Sequence, residues 1–203
     1  MPVDPHGQTS AKLCSAIAGD PASLGWLVAQ LSPLLIAQAR WRLGAMFGRT
    51  CEPEDLVQDA WLVALPRLAA LTPRDGRLTP VLLRFLATTI LHRINNLARH
   101  ELRRTGDLHE HTGSSAGSGL AASVTGIVSA AIREERRQFV LLAIDALDPV
   151  DREVLLLRGV EQRSGNTTAE LLGISVDAVA MRYGRARDRL RAQLPESLLD
   201  ELG

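Results

Sequence analysis

Dipeptides that start helices divide this chain into segments of helical length. Among the dipeptides in which a residue with a side-chain oxygen precedes a proline, five suit the first turn of a helix, because amides there lack partners. They are Asp20-Pro21, Ser32-Pro33, Glu52-Pro53, Thr79-Pro80 and Asp148-Pro149. No segment alternates apolar and polar residues between hairpin turns, so we predict no strands. The sequence therefore predicts an all-α fold.

The predicted helices fall into two groups separated by a polar stretch. They lie roughly at 10–18, 21–31, 33–46, 53–70 and 79–104, and then at 130–147, 149–159, 165–172 and 175–194. Residues 105–126 are rich in Gly, Ser and Thr and have too few apolar residues to offset the entropy of ordering. We therefore predict two small helical domains, 10–104 and 130–195, joined by a flexible linker at 105–129.

The overall composition excludes several classes of protein. The 23 basic and 23 acidic residues cancel, so bulk charge predicts no partner, although Lys12 is the only lysine and arginine suits contacts to phosphate and guanine. Cys14 and Cys51 form no CxxC pair, so we expect no disulfide framework, metal site or cofactor. No apolar run approaches the roughly 18 residues of a membrane span, and the N-terminus lacks a signal-peptide core. We expect a cytoplasmic protein with no membrane partner.

A helix-turn-helix pattern occupies residues 165–191. Gly173 can adopt the left-handed conformation that ends a helix, Ser175 can cap the next one, and Ile174 between them can pack inward. Apolar residues at steps of three or four then form the buried face of the second helix. These are Val176, Val179, Tyr183, Ala186, Leu190 and Leu194.

The other face of this second helix predicts contact with DNA. Five arginines stand between Arg182 and Arg191 against one acid, Asp188. Arginines near the start of such a helix can reach base edges, and later ones suit phosphates. A solvated charged face is the alternative interpretation.

Two further surfaces lie in the N-terminal part. The helix that starts at Glu52 places Asp55, Gln58, Asp59 and Leu62 on an outward face that could dock onto a basic partner helix, or could simply be solvated. The helix at 79–104 ends with five arginines and one glutamate between Arg84 and Arg104. Asn and Arg pair with base edges, and an aromatic ring can stack on an unpaired base. An amphipathic helix with a basic end is the alternative there.

Together these segments resemble a known family. The runs EPEDLVQDAWLVAL and RFLATTILHRINNLARHELRR look like region 2 of the sigma-70 factors, and AELLGIS followed by the arginine-bearing helix looks like region 4. The order of the regions, the linker and the absence of a middle domain resemble the extracytoplasmic-function (ECF) group. Such proteins bind core RNA polymerase and direct promoter-specific transcription initiation, and they are not enzymes.

The resemblance implies a role for each surface. The partners would be the clamp helices and the flap of core RNA polymerase, promoter DNA and, by family habit, an anti-sigma factor. Residues that would bind polymerase are Glu54, Asp55, Gln58, Asp59 and Leu62. Residues that would bind the −10 element are Phe85, Thr88, Thr89, His92, Arg93, Asn95, Asn96 and Arg99. Residues that would bind the −35 element are Asp177, Ala178, Ala180, Met181, Arg182, Arg185 and Arg189.

Two other functions compete with this one. An ordinary helix-turn-helix regulator with a helical interaction domain explains residues 165–191 equally well, but not the EDLVQD run beside an Asn/Arg-rich helix. A metalloenzyme would need ligands such as His109 and His111, which lie in the predicted linker without a third partner. We expect no catalytic residues and no metal.

Overall fold

The computed structural model describes residues 7–47, 51–104 and 125–202. Its helices are α1 Gly7–Ile17, α2 Pro21–Phe47, α3 Pro53–Ala64, α4 Thr79–Arg104, α5 Thr125–Asp145, α6 Pro149–Leu155, α7 Gly165–Leu172, α8 Val176–Leu190 and α9 Glu196–Glu201. A 3₁₀ segment, Leu65–Ala70, follows α3, and a π-helical segment, Leu156–Val160, extends α6. Extended pairing among the described residues is limited to one bridge, between Arg74 and Arg77. The all-α prediction is confirmed.

Helix α2 corrects the predicted break at Ser32-Pro33. The chain continues as one helix from Pro21 to Phe47, with Pro33 inside it and a non-helical residue only at Gly44. A proline inside a helix removes a hydrogen bond and costs about 3 kcal/mol. Its neighbours Leu31, Leu34 and Leu35 are fully buried, and this burial outweighs the lost bond.

Helix α2 also corrects the statement about apolar runs. Over Pro21–Gly44 it is long and apolar enough to cross a membrane by length and composition. Within the protein, 61% of its most apolar window is buried. It packs against α1, α3, α4 and α5 and is the central helix of the core.

The C-terminal boundaries also differ from the prediction. Helix α5 begins at Thr125, so residues 125–129 of the predicted linker are helical, because extending an existing helix costs little. Residues 105–124 lie outside the described part of the chain. Helix α8 ends at Leu190, and α9 was not predicted, because six residues are too few to show a helical period.

The predicted domain pair forms one continuous core in the structure. We call α1–α4 the N-terminal module and α5–α9 the C-terminal module. Buried side chains from both modules belong to a single apolar cluster, in which α2 packs against α5 and the π-helical segment, and α1 against α9. The two-domain division itself stays a prediction.

A buried carboxylate lies where the modules meet. The Glu161 side chain is 1% exposed, and the Arg42 guanidinium donates to its two oxygens at 2.7 and 2.6 Å. Gln38 Nε2 donates to the same carboxylate at 3.2 Å and approaches the Ala87 carbonyl at 3.4 Å. These bonds join α2, α4 and the end of the π-helical segment at one point.

Leu202, which ends α9, is hydrogen-bonded to the rest of the C-terminal module. The Tyr183 hydroxyl donates to the Leu202 carbonyl at 2.8 Å, and burial raises the pKa of this phenol to about 12. Gly159 allows this approach, since a Cβ at that position would lie 3.1 Å from the hydroxyl. The Gln162 side chain also donates to the Gly159 carbonyl, at 2.5 Å. The same side-chain nitrogen lies 3.4 Å from the Leu202 carbonyl, so both Tyr183 and Gln162 contact the residue that ends α9.

The buried ion pair gives a first prediction. Arg42→Ala should lower the free energy of unfolding by about 3 kcal/mol, because it leaves Glu161 charged and poorly compensated inside the protein. Arg40→Ala is the matched control, since Arg40 pairs with Glu54 at an exposed site and should contribute about 0–1 kcal/mol. Urea denaturation measures both, and equal losses would contradict a special role for the buried pair.

Candidate nucleic-acid interface

The helix-turn-helix forms as its sequence predicts. Ser164 caps α7 by accepting from the Thr167 amide at 3.1 Å, and Ser175 caps α8 by accepting from the Ala178 amide at 3.1 Å. Gly173 between the helices is left-handed, with φ 65°. Ile174 packs partly buried against the core. The turn therefore fixes α8 relative to α7 through local interactions alone.

The buried face of α8 agrees with the prediction except at its start. Val179, Tyr183, Ala186 and Leu190 are buried, and Leu194 beyond the helix is buried as well. Val176 is 46% exposed, so its place in the predicted apolar stripe was wrong. As the first residue of the helix, it lies at the edge of the core beside Gly165.

Most of the predicted −35 residues form an exposed surface on α8. Asp177, Ala180, Met181, Arg185 and Arg189 are exposed, and Ala178 is half-buried. Met181 is 66% exposed, which is unusual for an apolar side chain of this size. These residues follow one another at helical spacing on one side of α8, as a surface that enters a DNA groove requires.

Arg182 differs from the other predicted −35 residues because it is engaged inside the protein. Its guanidinium lies 2.6 Å from a carboxylate oxygen of Asp151, whose side chain is 3% exposed, and 3.4 Å from Asp148. Arg185 lies 4.0 Å from the same Asp151 oxygen but is 60% exposed. Arg182 therefore stabilises α6 through its ion pairs, whereas Arg185 faces solvent.

Six of the eight predicted −10 residues line one groove on α4. The groove has a volume of about 390 Å³. Its predicted residues are Phe85, Thr88, Thr89, His92, Arg93 and Asn96. Thr89 Oγ1 donates to the Phe85 carbonyl at 2.9 Å, and Arg93 pairs with Asp59 of α3 at 3.4 Å. The groove therefore combines a half-buried ring with exposed donors.

Asn95 and Arg99 lie outside this groove but remain exposed on α4. Arg99 donates to the Asn95 carbonyl at 3.2 Å and to Asn96 Oδ1 at 3.1 Å. The second bond occupies the oxygen of the Asn96 amide. Its NH₂ group remains the donor that the groove presents to a ligand.

Sequence reasoning missed two residues of the groove, Val63 and Arg67. Arg67 lies on the 3₁₀ segment, donates to the Val63 carbonyl at 3.2 Å and stands 6.0 Å from the centre of the Phe85 ring. The available signal was a basic residue in the last turn of the helix predicted at 53–70. Its partner on α4 is eighteen positions away in the sequence, and no local pattern indicates that contact.

The acidic face of α3 is partly covered. Asp55, Gln58 and Leu62 are exposed, Leu62 by 56%. Glu54 pairs with Arg40 at 3.2 Å and with Arg137 of α5 at 3.0 Å. Glu54, one of the five residues predicted to bind polymerase, is therefore already paired with a side chain of the C-terminal module.

Metal ligands do not cluster within the described ranges. No group of three or more His, Cys, Asp or Glu side chains is placed there to hold an ion, while His109 and His111 lie outside those ranges. Cys14 is exposed. Burial, with the nearby carboxylates of Asp55 and Asp59, raises the pKa of the Cys51 thiol. That thiol is thus held in its protonated form, which is a poor ligand and nucleophile.

The Arg182 ion pair gives a second prediction. Arg182→Ala should lower the free energy of unfolding by about 2 kcal/mol, because it removes the nearest cation from the buried Asp151. Arg189→Ala, at an exposed position of the same helix, should change it by less than about 0.5 kcal/mol. Thermal and urea unfolding of the two variants measure the difference. Equal stability would show that Arg182 is as dispensable to the fold as Arg189.

Comparisons with known proteins find a sequence match in the C-terminal module. The sequence of residues 138–190, from α5 to the end of α8, matches the family model for sigma-70 region 4. No curated protein sequence matches the chain. Among solved structures, the chain is similar to CnrH in complex with the cytosolic domain of CnrY, at 23% identity over 93% of this chain and 96% of that one, with a TM-score of 0.38.

A second similar structure is that of the sigma factor RpoE in complex with the anti-sigma factor NepR from Bartonella quintana. It is 20% identical over 84% of this chain and 95% of that one, with a TM-score of 0.37. The segment that matches the family model contains the whole helix-turn-helix of α7 and α8. Residues 138–190 are therefore similar to region 4 of the sigma-70 factors.

Proposed function

We propose that this protein is a sigma factor of the ECF type, which binds core RNA polymerase and directs promoter-specific initiation. The observation that carries the proposal is the family match over the helix-turn-helix, with exposed side chains along α8 as a reader of duplex DNA needs. The groove on α4 adds a second DNA surface, which a single helix-turn-helix does not require.

The α4 groove suits an unpaired base of the −10 element. Its volume of about 390 Å³ is at the lower end of small-ligand sites and can hold a single base. The half-buried ring of Phe85 offers a stacking surface, and the Asn96 NH₂ group and Arg93 offer donors to base edges. A duplex could not place a base there without unpairing it, so this site favours opened DNA.

The α8 surface suits the duplex of the −35 element. Asp177, Met181 and Arg185 follow each other at steps of four on the exposed side of the helix. Arg185 is the first candidate for a guanine contact, because Arg182 is already paired with Asp151. Arg189, one turn further on, suits a phosphate.

Core polymerase would dock on the acidic face of α3. Asp55 and Asp59 supply negative charge, and Leu62 supplies exposed apolar surface next to them. Full use of this face requires the Glu54 carboxylate to exchange its bond with Arg137 for a partner on the polymerase. Docking would therefore loosen one contact between the two modules.

The remaining partners follow from this function. A protein that acts on polymerase works in the cytoplasm and performs no bond chemistry, and an anti-sigma factor that masks its surfaces is a further expected partner. An ordinary helix-turn-helix regulator is the alternative function. It accounts for α7 and α8 but gives no reason for a base-sized groove on α4 beside an acidic face on α3.

Charge reversal on α3 tests polymerase binding. Asp55→Arg combined with Asp59→Arg should weaken binding to core polymerase about 100-fold or more and abolish transcription from a genomic promoter pool, because like charges would then face the basic partner. Glu135→Arg combined with Glu170→Arg, on α5 and α7, is the matched control and should bind nearly as well as the natural protein. If the natural protein forms no stoichiometric complex with core polymerase, it is an ordinary regulator.

The groove on α4 predicts a defect in promoter opening. Asn96→Ala should reduce permanganate reactivity near the start site about tenfold while leaving duplex binding intact, because one contact to an unpaired base is lost. Asn95→Ala is the matched control, since Asn95 is exposed on the same helix but does not line the groove. Equal effects of the two substitutions would argue against a base in the groove.

A further inference from the structure

A second, larger cleft lies between the two modules, away from the α4 groove and the exposed face of α8. Its volume is about 800 Å³. One wall is the loop before α4 together with the first turns of that helix, and the other is the π-helical segment with the start of α7. Five arginines line it: Arg74, Arg77 and Arg84 from the N-terminal module, and Arg158 and Arg163 from the C-terminal module.

These arginines are poorly neutralised for a protein whose formal net charge is zero. Asp75 is the acidic residue among those that line the cleft, and it lies 3.8 Å from Arg74 with both side chains largely exposed. Arg84 makes no ion pair with any described residue. Arg163 lies 3.4 Å from Glu161, but that carboxylate already accepts two bonds from Arg42.

Two of the remaining guanidinium groups are turned toward carbonyls rather than carboxylates. Arg77 donates to the Asp200 carbonyl at 3.1 Å, and Arg158 donates to the Arg163 carbonyl at 2.6 Å. A carbonyl orients a guanidinium but leaves its charge uncompensated. The cleft therefore carries a local excess of positive charge, held in place by specific hydrogen bonds.

The loop wall contains a pairing that is unfavourable by itself. Arg74 and Arg77 exchange two backbone hydrogen bonds, of 3.0 and 2.9 Å, across a tight turn formed by Asp75 and Gly76 with φ 52° and 74°. Directly paired residues place their side chains on the same face, and like charges there destabilise the pairing. An anion bound between the two guanidinium groups would attract both of them and so offset the repulsion between Arg74 and Arg77.

We propose that this cleft binds a small polyanion with two or more linked phosphate groups. Guanidinium groups bind phosphate oxygens in pairs, and the volume lies within the range of small-ligand sites. A single phosphate would leave most of the charge uncompensated, whereas a linked chain can contact arginines on both walls. The α7 N-terminus adds the positive end of a helix dipole, with Ser164 and Thr167 lining the cleft.

A small ligand fits the cleft better than a DNA backbone does. The two walls face each other across the cleft, so the charges converge on the space between them instead of following one exposed strip. Because the walls belong to different modules, the ligand would bind only while the modules are packed together. Binding would thereby stabilise the packed arrangement against the separated one. The site itself does not depend on the proposed sigma function.

The probe is inorganic tripolyphosphate, titrated calorimetrically into the full chain at low ionic strength, with orthophosphate and a nucleoside triphosphate as parallel ligands. We expect one tripolyphosphate per chain, with orthophosphate much weaker. Arg74→Gln combined with Arg84→Gln should weaken binding about tenfold or more, because two charge-assisted contacts are lost without disturbing the fold. Tighter binding of the nucleoside triphosphate would identify a nucleotide as the ligand, and equal binding would identify the phosphate chain itself.

Arg136→Gln combined with Arg191→Gln removes the same charge from exposed positions outside the cleft and should change the affinity less than about twofold. Thermal unfolding checks that all variants are folded. The proposal is overturned if the two double variants lose affinity equally, if several anions bind per chain, or if only duplex DNA competes for the arginines of the cleft.

Discussion

The packing of the two modules depends on one buried negative charge. Glu161 comes from the C-terminal module, yet all but one of its polar partners lie on α2, where Gln38 and Arg42 stand four residues apart on the same face. A carboxylate that is 1% exposed costs several kcal/mol to desolvate unless its oxygens are bonded. Apolar surfaces can shift relative to one another at little cost in free energy. A shift at this point would break the two hydrogen bonds between Arg42 and Glu161. It therefore fixes the register of the interface more than it adds to its strength.

Local features of the fold were predictable because near neighbours decide them. The left-handed Gly173 and the Ser175 cap follow from residues within four positions of each other, as does most of the buried face of α8. The helix pattern also identified α4 to the residue. Pro33 is an exception to this local reasoning. Proline normally starts or breaks a helix, but here the burial of leucines on both sides outweighs that local preference.

The sequence analysis named most side chains of the α4 groove, but it did not predict which residues of different elements contact one another. Six residues of the α4 groove were expected, because the resemblance to sigma region 2 placed them together along one helix. The contact between Arg67 and Phe85 and the bond from Arg182 to Asp151 join elements whose relative placement depends on tertiary packing. For the same reason, the sequence could not distinguish Arg182, which is engaged inside the protein, from Arg185, which is exposed.

The packed arrangement affects the three proposed binding surfaces unequally. The α4 groove and the exposed face of α8 remain open to solvent, whereas Arg137 of the C-terminal module occupies Glu54 on the acidic face of α3. A partner that needs a minor conformation binds more weakly in proportion to that population, and each 1.4 kcal/mol of stabilisation of the packed form costs about tenfold in affinity. The other polar contacts between the modules range from the buried hydrogen bond between Thr9 and Ser197 to the exposed bond from Arg77 to the Asp200 carbonyl, and each is a single hydrogen bond of modest net contribution. A shift toward the separated arrangement would free Glu54 from Arg137, and it would therefore change the proposed docking on α3 before it changed either proposed DNA surface.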